Sequence, residues 1–178
     1  RGHTAIGSGC EIGPNAMVRD CIVGKDTTIN ASQVNESTIG SHTTVGPFTY
    51  VRPNCRIGDH CRVGDFVEVK NSVIGDGTKI SHLTYVGDSD VGQRVNFGCG
   101  TVTTNYDGHK KHRCTIGDDV FLGCNTNLIA PVTVADRAYT AAGSTVTDDV
   151  PEGALAIARQ RQTNIQGWAD RLRKTWKK

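Results

Sequence analysis

The sequence predicts an all-β solenoid, short strands stacked into a parallel β-helix, and three observations carry that prediction. Aliphatic residues recur every six positions and are usually followed by glycine, from Ile6-Gly7 and Ile12-Gly13 through Ile57-Gly58 and Val63-Gly64 to Ile116-Gly117 and Leu122-Gly123. The residue four places after each aliphatic is small or β-branched, as at Thr27, Thr43, Cys55, Val67, Thr78 and Val120. Aromatic residues make up only 6% of the chain while glycine numbers 21, too little bulk for an ordinary globular core and too regular a pattern for disorder.

A period of six matches neither the 3.6 of a helix nor the strict alternation of a long strand. It suits short strands separated by corners, three hexapeptides closing one triangular coil, with coils stacked as parallel strands about 4.8 Å apart. The aliphatics then form an inner column, and the small residues supply a second inward position. Glycine after each aliphatic is read as conformational freedom at the corner. Steps of five separate Val18 from Val23, Val69 from Ile74 and Val86 from Val91, as expected of corners that lose one residue.

Five of the seven cysteines, Cys10, Cys21, Cys55, Cys61 and Cys114, stand two places before a repeat aliphatic and read as small core residues. Cys99 and Cys124 stand two places after one, where a ligand can reach them. An odd cysteine count without a Cys-x-x-Cys pair argues against a disulfide framework. The formal net charge of +2 argues against a general polyanion binder, so no nucleic-acid partner is expected. No apolar run of about 18 residues and no signal-like start are present, so membrane insertion is not expected and the localisation is read as cytoplasmic.

Two segments break the repeat. After Phe97-Gly98 the pattern lapses until Ile116-Gly117, which places an insertion loop at about residues 101–114 in a β-helix domain spanning 1–150. Pro151 and Gly153 then end the repeat, leaving a basic, partly helical tail over 151–178. Residues 159–178 carry seven Lys/Arg, including Arg159, Lys177 and Lys178, against one acid, Asp170. Such a tail is either a solvated surface or a partner for phosphate groups. His82 interrupts a core that needs no imidazole, and is either a surface residue or a reagent.

The stretch from "YVRPNCRIGDHCRVGDFVEVK" through "SHLTYVGDSDVGQRVNFGCGTVTTNYDGHKKH" to "GDDVFLGCNTNLIAPVTV" resembles the acetyltransferase domain of the bifunctional bacterial N-acetylglucosamine-1-phosphate uridyltransferase/glucosamine-1-phosphate acetyltransferase family, closely over about residues 39–168. The resemblance implies a left-handed coil, a handedness the period alone does not reveal. It also implies acetyl transfer from acetyl-CoA to the amine of glucosamine 1-phosphate, in UDP-N-acetylglucosamine and cell-wall precursor synthesis. His82 in "SHLTYVG" would be the general base. Arg52, Lys70, Tyr85 and Asn96 would hold the sugar phosphate, with Lys111 reaching it from a neighbouring chain. Acetyl-CoA would lie along Cys99, Asn105, Tyr106, Cys124, Ala142 and Arg159. A homotrimer with shared sites is implied, with no metal for acetyl transfer. Magnesium would serve only the N-terminal uridyltransferase domain, which is expected to be absent from this chain. Two positions depart from the family pattern, since "GCG" often has Ala at its centre and "GCN" often has Ser; Cys124 replaces a hydroxyl by a weaker hydrogen-bonding thiol.

The chemistry accounts for these residue types. An amine attacks a thioester only when neutral, and the adduct must shed a proton; a free imidazole titrates near about 6.5 and accepts it at neutral pH. The oxyanion is expected to be met by a backbone N–H near Cys99. Glu68 is a candidate to orient the imidazole. The sequence holds three rival readings: a zinc enzyme built on His109 and His112, whose neighbours Lys110 and Lys111 make a poor cation cage; a non-catalytic scaffold; and acetyl transfer to another amine.

Overall fold

The computed structural model describes residues 1–176. Lys177 and Lys178 of the basic tail lie outside the described residues. Three parallel sheets form the faces of a triangular prism. Sheet 1 runs from Ala5–Ile6 to Val132–Val134, sheet 2 from Glu11–Ile12 to Leu155–Ala156, and sheet 3 from Met17–Arg19 to Thr145–Val146. Up to Thr145–Val146 successive strands take the three faces in turn, giving eight complete turns among the described residues; the Val150 bridge to Val134 and the strand Leu155–Ala156 begin another.

The repeat aliphatics fill the prism as expected. Ile29, Val45, Val63, Ile80, Phe97 and Leu122 form one column, and Ile39, Ile57, Ile74, Val91, Ile116 and Val134 another, all buried. Each fully buried aliphatic contributes on the order of 1.5–3 kcal/mol. In the first turn Ile6 and Ile12 are 47% and 37% exposed.

The second inward position has a polar reason as well as a steric one. The hydroxyl of Thr43 donates to Gly58 O at 2.9 Å, that of Thr49 to Gly64 O at 2.6 Å and that of Thr78 to Gly92 O at 3.0 Å. Cys61 Sγ reaches Gly75 O at 3.2 Å in the same way. Corner carbonyls are thereby satisfied inside the prism, and no buried side-chain polar atom among the described residues lacks a partner.

Three sequence expectations change. The repeat glycines serve close stacking more than backbone freedom: a Cβ on Gly40 would stand 2.4 Å from Gly58 C, and one on Gly75 would stand 2.5 Å from Gly92 C. Positive φ occurs at the repeat glycines Gly13 and Gly46, and otherwise on corner residues such as Asp26, His60 and Asn71. The insertion is shorter than 101–114, because Val102–Thr104 is a regular strand between Tyr85–Gly87 and Asn127–Ile129. Thr103 takes the inward place of an aliphatic, its hydroxyl accepting the Gly87 N–H at 2.7 Å, so the excursion occupies 105–113. The ladder also continues beyond residue 150, since Leu155–Ala156 pairs with Tyr139–Thr140. The tail ends in the helix Trp168–Thr175, which buries no residue. No helix among the described residues is long and apolar enough to cross a membrane.

Candidate active site

Arg52 follows the strand Tyr50–Val51 and Lys70 ends the neighbouring strand of sheet 3, Glu68–Lys70, which pairs with Tyr50–Val51 on one side and Tyr85–Gly87 on the other. Outward positions alternate along these strands and place Tyr50, Arg52, Glu68, Lys70 and Tyr85 on one face. At the corner between sheets 3 and 1 the surface opens into a cleft of about 590 Å³ lined by Arg52, Lys70, Asn71, Asp88, Lys111 and Arg113, among others.

Asp88 is the hub of that cleft. Asn71 Nδ2 donates to Asp88 Oδ1 at 2.5 Å, Lys70 Nζ lies 3.3 Å from Oδ2, and Asn105 Nδ2 donates to the same oxygen. Burial acts against the charged carboxyl, but the Asn71 and Asn105 hydrogen bonds and the Lys70 ammonium outweigh it and hold Asp88 below the usual carboxylate range. The neighbouring Lys70 ammonium pulls Lys111 below the ordinary lysine value, while Asp88 favours the charged form of Lys70. Arg52 Nη1 donates to Glu68 Oε1 at 2.9 Å. Arg113 holds Asp90 on the rim at 2.6 Å. The cleft thus presents Arg52, Lys70, Lys111 and Arg113 around one buried carboxylate, a surface suited to a compact anion.

A second set of residues lies on the corner between sheets 2 and 3. Asp65 and His82 are register partners in the parallel strands Arg62–Asp65 and Lys79–His82. Ile80 pairs with Phe97, Phe97 with Leu122, and Leu122 with Thr140. Two residues beyond each of these stand His82, Cys99, Cys124 and Ala142, one above another in consecutive turns. Asn125 N donates to Cys99 O and Gly143 N to Cys124 O, each at 2.8 Å, which locks the corner turns together. Thr140 pairs with Ala156, so Ala158 takes the next place in the column, and its neighbour Arg159 has Cδ 3.7 Å from where a Cβ on Gly143 would be. The edge therefore starts at an exposed imidazole, passes small side chains and ends beside Arg159.

The bacterial transferase hexapeptide (six repeats) family matches residues 36–71 and 113–148. The bifunctional protein GlmU of Clostridium acetobutylicum is 55% identical over 171 residues, covering 96% of this chain and 38% of that protein. GlmU of Clostridium perfringens is 58% identical over 171 residues, covering 95% of this chain and 34% of that protein. The chain is a hexapeptide-repeat domain of the GlmU family. It spans little more than a third of the length of the curated relatives it matches. Among solved structures, the UDP-N-acetylglucosamine acyltransferase from Campylobacter jejuni is similar at 16% identity with a TM-score of 0.48, covering 95% of this chain and 82% of that one.

Within this GlmU-family domain the residues expected for the sugar phosphate and for acetyl-CoA fall mainly into two places, with Asn96, Asn105 and Tyr106 standing apart from the set expected of each. Arg52, Lys70 and Lys111 share the cleft. Tyr85 adjoins it through its hydroxyl, 3.3 Å from Asn105 Nδ2. Asn96 sits apart on sheet 2, between Lys79 and Phe121. Cys99, Cys124, Ala142 and Arg159 share the corner with His82. Asn105 and Tyr106, expected beside acetyl-CoA, stand elsewhere: Asn105 commits its amide to Asp88 and Tyr85, while Tyr106 lies in the excursion and its hydroxyl donates to Gly108 O at 2.8 Å. Glu68, the expected partner of the imidazole, is paired with Arg52 instead. His112, weighed as a zinc ligand, holds Asp107 at 2.7 Å, and no group of three or more His, Cys, Asp or Glu among the described residues is placed to hold a metal ion.

Asp65, Asn71 and Asp88 were not singled out by the sequence reading. Asp65 lies 17 residues, one turn, before His82; Asp88 lies 18 after Lys70, and Asn71 lies 17 before Asp88, whose carboxylate its amide holds. A step of one turn, back from His82, on from Lys70 and back again from Asp88, is the signal that finds them.

Proposed function

We propose that this domain transfers acetyl from acetyl-CoA to the amine of glucosamine 1-phosphate, with His82 as general base. The observation that carries the reading is the corner column His82, Cys99, Cys124, Ala142, with Arg159 beside its far end, set one sheet away from the cationic cleft of Arg52, Lys70 and Lys111. The small side chains leave an open edge for the thin pantetheine arm, and Arg159 suits a phosphate at its far end. The cleft supplies cations for the sugar phosphate, which carries nearly two negative charges.

In the reaction the amine nitrogen attacks the thioester carbonyl carbon, the C–S bond breaks, and CoA leaves as a thiolate. The amine proton passes to the His82 imidazole and then to the thiolate, so no net acid is produced at the enzyme. General-base catalysis of this kind supplies roughly 10²–10⁴ in rate. We assign oxyanion stabilisation to a backbone N–H near Cys99.

The assembly is read as a cytoplasmic homotrimer whose neighbours complete each site. An apolar ridge beside the catalytic corner supports this: Phe48 and Phe66 stack with centroids 5.3 Å apart, and Phe48, Phe66 and Leu83 are 59%, 59% and 58% exposed. All three hold positive φ, a conformation that costs a bulky residue about 1–2 kcal/mol. Another chain covering that ridge would offset the cost and bring its own groups to His82. We read the uridyltransferase activity as belonging to a further domain of the longer protein, with magnesium serving that domain alone. The test follows CoA thiol release with glucosamine 1-phosphate, other amino sugars and amino acids as competing acceptors. Release that depends on glucosamine 1-phosphate supports the assignment; release with a different amine only would move the acceptor and keep the base.

A further inference from the structure

We infer that Cys99 and Cys124 form a paired-thiol site on the catalytic corner that closes to a reversible disulfide when it meets a small-molecule disulfide. The two residues occupy the same place in consecutive turns, each two beyond the paired residues Phe97 and Leu122. Asn125 N, the amide following Cys124, donates to Cys99 O at 2.8 Å. The turns touch closely enough that a Cβ on Gly98 would stand 2.4 Å from Cys124 N. Neighbouring parallel strands lie about 4.8 Å apart, inside the Cα separation of about 4.4–6.8 Å that a disulfide bridges. Residues in the same register of a ladder send their side chains the same way, so the two thiols share one side of the edge.

Accessibility separates this pair from the other cysteines. Cys124 is exposed and Cys99 partly so, whereas Cys21, Cys55, Cys61 and Cys114 are buried in the prism. Burial also pushes the Cys55 and Cys61 thiols up, and that of Cys114 to about 11, which keeps them protonated and inert. Cys10 is half-buried and its thiol reaches Gly24 O at 2.9 Å, far along the prism from the corner.

The step is thiol–disulfide exchange. Cys124 as thiolate attacks one sulfur of the small disulfide, forms a mixed disulfide and expels one small thiolate, which takes up the proton that Cys124 lost. Cys99, deprotonated in turn, attacks the Cys124 sulfur and expels the second small thiol. Two protein thiols are oxidised and one small disulfide is reduced to two thiols. A bridge across in-register parallel strands draws the two turns together, and strained, exposed disulfides of this kind are the readily reduced ones. The functional consequence rests on the acetyl-transfer reading: closing the bridge shifts the edge on which acetyl-CoA is proposed to lie.

The experiment incubates the folded protein with oxidised glutathione, maps thiols by peptide mass spectrometry, and follows acetyl transfer before and after dithiothreitol. The expected result is a Cys99–Cys124 cross-link in the native chain and a persistent glutathione adduct on Cys124 in Cys99→Ala. Acetyl transfer should fall by about tenfold or more, the scale on which a displacement of about 1 Å lowers turnover at a positioned site, and should return on reduction. Native protein that keeps both thiols free, or holds an unresolved adduct on Cys124, overturns the paired site. A cross-link with acetyl transfer unchanged leaves the site standing and overturns the assignment of this edge to acetyl-CoA.

Discussion

Asp65 and His82 face one another as register partners on adjacent parallel strands at one corner of the prism. The carboxylate one turn below the imidazole is thus Asp65, while Glu68 is held by Arg52. His82 is exposed on the edge that carries Cys99, Cys124 and Ala142, one turn from Asp65.

His82→Ala is expected to lower turnover by about 10²–10⁴ while leaving the fold intact, because the side chain contributes nothing to the buried columns. Acceptor-dependent CoA release together with circular dichroism checks both halves. Near-normal turnover in a well-folded variant would remove His82 from the chemistry.

Arg52→Ala and Lys70→Ala should each raise the KM for glucosamine 1-phosphate by about tenfold to a hundredfold, the worth of one charge-assisted hydrogen bond of about 1.5–3 kcal/mol. The KM for acetyl-CoA should stay nearly constant. An effect of Arg52→Ala confined to acetyl-CoA would reverse the assignment of cleft and corner.

Asp88 links stability to acid. Its carboxyl is held below the usual range in the folded chain, so the unfolded chain binds the proton more readily. The stabilisation is therefore complete above the unfolded value of about 3.9 and is lost as the pH falls through the lower folded value. Asp88→Asn is expected to flatten the acid limb of a Tm-against-pH curve and to cost about 2–4 kcal/mol near neutrality by stripping Lys70 of its partner. A variant whose acid limb overlays the parent would show that Asp88 is not the linked group.

At the alkaline end the relevant group is Lys111, held below the ordinary lysine value by Lys70. Its charge is present at low pH and is lost as the pH rises, earlier than for a free lysine. Affinity for inorganic phosphate, measured by calorimetry, should therefore weaken on a rising pH series before the ordinary lysine range is reached, and Lys111→Met should remove that step. Weakening that begins only beyond the lysine range would contradict the cleft geometry.

Gly64→Ala tests the stacking of the corner itself. An added Cβ would stand 2.2 Å from Ser81 O, on the residue just before His82. The next turn must move, at a cost of about 1–3 kcal/mol, and it carries the imidazole with it. Thermal melts and turnover should both fall; an unchanged kcat with a lowered Tm would show that His82 tolerates the shift.

By itself the sequence determined the prism. The six-residue period placed Ile29, Val63 and Leu122 inside, and the small residues four places on, such as Thr43 and Cys61, fell where their polar atoms satisfy corner carbonyls. Both features are local and repeat every turn, so they are written in one dimension. Family resemblance named His82, Arg52 and Lys70 but did not say which side chains meet. Only the tertiary structure decided that Glu68 pairs with Arg52 and leaves Asp65 beside His82, that Asn105 belongs to the Asp88 cluster, and that Val102–Thr104 returns to the ladder before the excursion at 105–113. The physical reason lies in the stacking. Contacts between turns depend on the summed length of all three faces and their corners, and steps of five and six residues shift that sum from one turn to the next.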